Sequence, residues 1–423
     1  TFWAWNNPMI VIEDPIIVRK ILTDTKTFIK GPDYTKKFSL VFGVGLVTSN
    51  GNKHKEDRKC LARFFTKTHI SEYHNIICEL TDEMIQEELV PNMDKSFDIQ
   101  DFFHILSLRI FGYFSMNEDY SILENKKIAK KINTGVKEGS NIIGTHIILN
   151  VPMFSFLPTI KKVNNIVKYV DKHIQQIINK RCIEMKKPGA KIPDDILSTL
   201  IVRNYDENLD KLLDKKTKDI HDHVRTALAA GHDTTAFFGC YMAYLLSKHP
   251  EIQDKIRNEI RDNLSDIKVI SGNDILKLPY CYCVLQEVLR LYTIIPFVNR
   301  TSTKEYRIES TNQLIPKNST ILIPLSIMNR SETIWKNPNT FNPDRFIDII
   351  GHNCPKKGYL PFGYGTRSCI GANLAISEGM IMMSKIVSQF HILPEPSFKP
   401  NIISGISLIS KNGIRVKLKK IKL

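Results

Sequence analysis

The stretch from Ala227 to Leu246 constrains this chain more than any other. It is apolar over nearly a membrane-spanning length, yet His232, Asp233, Thr234 and Thr235 stand at its centre, where an aspartate alone costs about 3 kcal/mol in a bilayer. Helical periodicity runs from about Thr217 to Lys248 and stops before Pro250. A helix this long and this apolar must be buried, with a large core assembled around it. Inside it, "AAGHDTTA" at residues 229 to 236 works against helix formation. Glycine costs about 1 kcal/mol there, and short polar side chains compete for backbone partners. If the Thr234 hydroxyl bonds back to the Ala230 carbonyl, the helix opens locally and leaves a groove.

The remaining chain reads as mostly helical. Residues 10 to 12 suggest a strand, followed by Asp14 as an N-cap and Pro15 at the first helical position. From Gly51 onward helices dominate, and Ile160, Val163, Ile166, Val167, Val170, Ile174, Ile177 and Ile178 make one apolar face. One helix is expected over "DILKLPYCYCVLQEVLRLY" and a last one over "ANLAISEGMIMMSKIVSQF". "YRIES", "STILIPL" and "GIRVKLKKIKL" alternate like pieces of small antiparallel sheet. Strands do not alternate regularly with helices, which excludes doubly wound and barrel folds. The expectation is a mainly α fold with a minor antiparallel β component, in a single large domain over residues 1–423, with no internal repeat or Gly/Ser linker.

An apolar share of 42% and a charged share of 24% exclude a disordered chain. The net charge of +15 suits a nucleic acid, an anionic membrane surface, an acidic protein partner or a solvated basic surface. Eight cysteines lie scattered without a CxxC pair, which points to a reducing compartment. Cys281 and Cys283 read as packing residues. The first residues include no initiator methionine or signal sequence, so the chain reads as N-terminally truncated.

Cys369 does not read as packing. It lies in "FGYGTRSCIG", residues 362 to 371, the pattern F-x-x-G-x-R-x-C-x-G before an apolar helix. Glycines permit sharp turns and close approach to a flat ligand, while amide N–H groups and a helix N-terminus stabilise an anionic sulfur. Arg367 can pair with a ligand carboxylate. Those are the needs of a thiolate donating to haem iron, shielded by an aromatic such as Phe362.

This segment resembles the haem-binding segment of the cytochrome P-450 family, and further segments agree in the family's order. Within "AAGHDTTA", Asp233 and Thr234 resemble the acid and alcohol pair that delivers protons during oxygen activation, the groove holding dioxygen and a water. "EVLR", with Glu287 and Arg290, followed by "FNPDRF", with Arg345, resembles a structural trio that holds the cysteine loop. Asp344 stands where the family more often has glutamate. His54 and Arg58 in "GNKHKEDRKCLARFF" resemble W-x-x-x-R, whose side chains bind a haem propionate, with histidine in place of tryptophan. Arg300 matches a further propionate-binding arginine, so Cys369, Arg367, Phe362, Gly371, His54, Arg58 and Arg300 are the implied haem-binding set.

The resemblance implies a haem-thiolate monooxygenase that inserts one oxygen atom from O2 into a lipophilic small molecule. No G-x-G-x-x-G fingerprint is present, so electrons come from a separate NADPH-dependent flavoprotein reductase, with cytochrome b5 or a ferredoxin as other donors. Part of the positive charge would dock that acidic partner. The alternatives are a haem-thiolate isomerase or dehydratase of the same fold, and a non-catalytic haem sensor or carrier. The long insert before Cys369 and the missing N-terminal piece favour the microsomal type, whose members carry an N-terminal anchor and first helix there. If the absent N-terminus is an anchor, the expected place is the cytosolic face of the endoplasmic reticulum membrane, otherwise the cytoplasm, and the expected form is a monomer with no nucleic-acid partner. Residues 34 to 47, 141 to 158, 293 to 298 and 402 to 409 are the expected pocket segments. The apolar stretch from 141 to 160 is expected to form a lid that touches the membrane.

Overall fold

The central helix runs unbroken over Lys216–Ser247, and every residue from 235 to 247 is buried. Its partner is the helix Gln100–Met116, and glycine sets how closely the two approach. A Cβ at Gly231 would stand 2.4 Å from the Phe111 ring, and one at Gly239 would stand 2.3 Å from the Phe103 ring. Gly231 is therefore tolerated mid-helix because a partner ring needs its space. The computed structural model describes all residues except 1, 5–6, 121–130, 133, 136–137, 140–141, 143–156, 205–215, 350–357 and 422–423.

Helices surround this pair. The helix Pro158–Met185 buries Ile160, Val163, Val170, Ile174, Ile177 and Ile178, the face its sequence marks out. The helix Ala372–Gln389 crosses the central one where Gly379 admits the Phe238 ring, 2.6 Å from where a Cβ would lie. At the start of the chain Asp14 caps the helix Pro15–Thr23 by accepting from the Ile16 and Ile17 N–H groups at 2.9 Å each. The single helix expected over residues 274 to 292 is two helices, Gly272–Leu276 and Pro279–Leu291. Pro279 has no N–H to continue the ladder and pushes Leu278 out of helical geometry, to φ −114° and ψ 60°.

The strands form small sheets at the periphery. The largest orders Phe2–Ala4, Asn7–Val11, Thr320–Ile323, Val298–Ser302 and Phe28–Ile29. All its pairs are antiparallel except Asn7–Val11 with Thr320–Ile323, where Met9 faces Thr320 in parallel register. A second sheet joins Ser96–Asp98, Arg415–Lys420 and Phe390–Pro394. The hairpin Ile402–Ser404 with Leu408–Ser410 docks on the central helix through the Tyr241 hydroxyl, which donates to the Leu408 carbonyl at 2.9 Å. Cys281 and Cys283 are buried in the core. Most of the expected lid, residues 143–156, lies outside the described residues. Among the described residues no helix is long and apolar enough to cross a membrane.

Candidate active site

The cysteine loop is held by its own backbone. The Cys369 N–H donates to the Phe362 carbonyl at 2.7 Å and the Ser368 N–H to the Gly365 carbonyl at 3.0 Å. Gly363 and Gly365 have φ of 73° and 72°, the left-handed region that glycine enters without penalty. A Cβ at Gly365 would also meet the Leu22 carbonyl at 2.9 Å. Gly371 has an ordinary φ of −85° and begins the helix Ala372–Gln389 as its N-cap. Phe362 is partly buried against the main core.

Among the described free cysteines, Cys369 alone is classed as exposed. Its surroundings are nonetheless dense enough that burial pushes its thiol up, with the Gly371 N–H and the Arg58 charge pulling in the opposite direction. The sulfur thus faces a recess inside the molecule rather than bulk water. Sequence pattern favours a thiolate here, whereas burial outweighs those donors in the folded chain. A bound metal cation would supply the missing stabilisation, because a coordinating thiol is deprotonated outright.

Beside the sulfur lies a group of cations with no carboxylate partner among the described residues. Arg58 donates to the Ser368 carbonyl at 2.8 Å, next to Cys369. Arg367 donates to Asn50 Oδ1 at 2.9 Å, and Arg300, on the strand Val298–Ser302, to the Asn299 carbonyl at 2.7 Å. Burial lowers Arg367 to about 10, with Arg300 and Arg58 adding repulsion. Lys30 is held well below its ordinary value by burial and by the charges of Arg300 and Arg367. His54, on the helix Gly51–Leu61, is lowered to about 4 by burial first and then by Arg367 and Arg58. Two carboxylates presented by a ligand would neutralise this group, and that is the donor set haem requires: a thiol in a recess with cations placed for its propionates. Lys30 was not singled out from the sequence, because its partners lie far along the chain.

On the central helix the Thr234 hydroxyl donates to the Ala230 carbonyl at 2.9 Å. Asp233 is buried, and its Oδ2 accepts from the Ser407 hydroxyl at 3.1 Å. Ser407 lies in the docked hairpin, and no local pattern announces it. Three expected pocket segments touch the central helix or one another. The Thr226 hydroxyl donates to the Phe42 carbonyl at 2.5 Å, and the Leu408 N–H donates to the Ile294 carbonyl at 2.9 Å. An apolar cavity lined by Val41, Ile166, Val170, Leu228 and Ala229 lies beside them, with Arg225 in its wall.

A cytochrome P-450 family model matches residues 1–418. The chain belongs to the cytochrome P-450 family. It is 27% identical over 435 residues to cytochrome P-450 4A12 of Rattus norvegicus, covering 99% of this chain and 83% of that protein. It is 27% identical over 409 residues to cytochrome P-450 4e2 of Drosophila melanogaster, covering 93% and 76%. It is also 26% identical over 427 residues to taurochenodeoxycholic 6 alpha-hydroxylase of Sus scrofa, covering 98% and 82%. As a cytochrome P-450 it is a haem-thiolate monooxygenase of lipophilic substrates, using O2 and a redox partner.

In this cytochrome P-450 the trio stands apart from the cation group. Arg290 donates to both Glu287 oxygens at 2.6 and 2.8 Å, and Arg345 donates to Glu287 Oε1 at 2.9 Å. Glu287 and Arg290 are fully buried. Asp344 lies outside the trio and meets Lys255 at 3.4 Å on the surface.

Proposed function

We propose that this enzyme hydroxylates a lipophilic, amphiphilic small molecule with electrons from a separate NADPH-dependent flavoprotein reductase, and that Cys369 is the residue that would hold the haem iron. The observation that carries the reading is the accessible Cys369 sulfur beside cations that have no carboxylate of their own. When bound, haem supplies the activation of oxygen.

The chain's own residues do the rest. The Gly371 N–H and Arg58 favour the anionic form of the Cys369 sulfur against the cost of its burial. Lys30, His54, Arg58, Arg300 and Arg367 would hold the two propionates. Phe362 excludes water from the sulfur. Ser407 fixes Asp233, which passes protons to the Thr234 hydroxyl beside it. The relatives of the family support a lipophilic substrate, and the one named taurochenodeoxycholic 6 alpha-hydroxylase supports an amphiphilic one. The enzyme works as a monomer at the cytosolic face of the endoplasmic reticulum membrane, where part of the +15 charge docks its reductase.

The test is turnover reconstituted with NADPH and a reductase against sterols, fatty acids and terpenoids under 18O2. One labelled oxygen in the product is expected. Thr234→Ala should bind haem and substrate normally yet divert reducing equivalents to hydrogen peroxide. Product formation from a hydroperoxide without reductase or O2 consumption overturns the reading.

A further inference from the structure

Asp233 shares its part of the core with two imidazoles. His232 precedes it on the central helix, His104 lies on the helix Gln100–Met116, and all three side chains are buried. One ring nitrogen from each histidine and one Asp233 oxygen lie within 4.8 Å of one another. The His104 ring packs edge-on against Phe237 with centroids 5.0 Å apart, and stands 6.0 Å from the His232 ring. Burying two imidazoles costs free energy that leucines at the same positions would not.

The hydrogen bonds of His232 and Asp233 give each group a different capacity. His232 Nδ1 lies 2.7 Å from the Leu228 carbonyl. A carbonyl only accepts, so Nδ1 carries the hydrogen and Nε2 keeps its lone pair. Burial lowers His232 to about 4 and keeps it neutral. Ser407 fixes Asp233 Oδ2. His104 lies on the helix whose first turn reaches solvent. It follows Asp101 by one helical turn, and Asp101 is exposed in the first turn of that helix. The Cys240 thiol, raised by burial, also feels the charges of Asp98, Asp233 and Asp101.

We propose that His104 is a relay residue that brings solvent protons to Asp233. It takes a proton from water at Asp101 on one ring nitrogen and releases the proton held on the other toward Asp233, directly or across one water. One proton enters as one leaves, and the imidazole ends neutral. His232 acts as the fixed neutral acceptor that orients the His104 ring. The inference rests on the reading of Asp233 and Thr234 as the proton-delivering pair.

The haem-loaded full chain with its reductase tests this through His104→Phe, His104→Gln and Asp233→Asn. Both His104 variants should retain haem and the substrate-binding spectrum, lose coupling to product by about tenfold or more, form correspondingly more hydrogen peroxide and show a larger solvent isotope effect. Glutamine can hydrogen-bond but cannot shuttle a proton, so restored coupling in His104→Gln would make the role structural and overturn the relay. In the purified protein, 15N resonances of the His104 ring should move in Asp233→Asn; unmoved resonances count against it. One non-haem divalent ion per chain bound at the three side chains would also overturn it. Unchanged coupling in Asp233→Asn would instead defeat the underlying reading of the pair, whatever His104 does.

Discussion

Around Glu287 the chain supplies an acceptor for every donor of the buried arginine. Arg290 gives its N–H groups to both Glu287 oxygens and to the carbonyls of Asn329, Pro338 and Thr340, and Arg345 reaches Glu287 and the carbonyls of Lys336, Asn337 and Thr340. Around Lys30 the plan is the reverse. Among the described residues Arg300 donates to the Asn299 carbonyl and Arg367 to Asn50, neither to a carboxylate, and the cations depress one another. A cluster complete within the chain holds the fold. A cluster of like charges, partly or fully buried and without a counter-charge among the described residues, is arranged for a ligand that brings one.

The sharpest way to break this contrast is Glu287→Ala. It strands two guanidinium groups in the core and should cost about 3–5 kcal/mol, seen as a large fall in the thermal midpoint and little folded enzyme. Arg300→Met should do the opposite. The haem-free protein should be as stable as wild type or more so, while haem leaves roughly 10- to 100-fold faster, as the loss of a charged hydrogen bond implies. Transfer of haem to an apo-globin and a melt of the haem-free protein measure the two halves. Haem whose propionates are esterified should bind the wild-type chain more weakly by a similar factor, and Arg300→Met should no longer distinguish the two haems.

A smaller effect concerns pH. His54 is lowered from 6.5 to about 4 in the haem-free fold, so between those values the unfolded chain binds the extra proton. Stability of the haem-free protein should therefore fall as pH drops from about 6.5 toward 4. His54→Gln should flatten that slope, and bound haem should reduce it, because propionates favour the imidazolium. Equilibrium unfolding at several pH values checks both.

What could be read from sequence follows the range of the interactions. The cysteine loop, the Thr234 back-bond and the Asp14 cap are local, closing within a few residues, and their patterns announce them. Glu287 and Arg290 are one turn apart and equally visible. Lys30 lies 337 residues before Arg367, and Ser407 lies 174 residues after Asp233, so only packing joins them. The parallel pairing of Met9 with Thr320 is of the same kind. Gly231 shows a different limit. Its position in a polar stretch suggests a functional opening, whereas the Phe111 ring already accounts for a glycine there. The break at Pro279 was legible, since proline cannot continue the preceding helix, but the apolar pattern ran across it.

The central claim is that Cys369 is the group on which the cofactor rests, and the carbon monoxide spectrum of the reduced protein tests it most directly. Wild type should show the Soret position diagnostic of thiolate ligation, and Cys369→Ala should lose it. A band typical of histidine-ligated haem in wild type, or an unchanged spectrum in Cys369→Ala, would contradict the account.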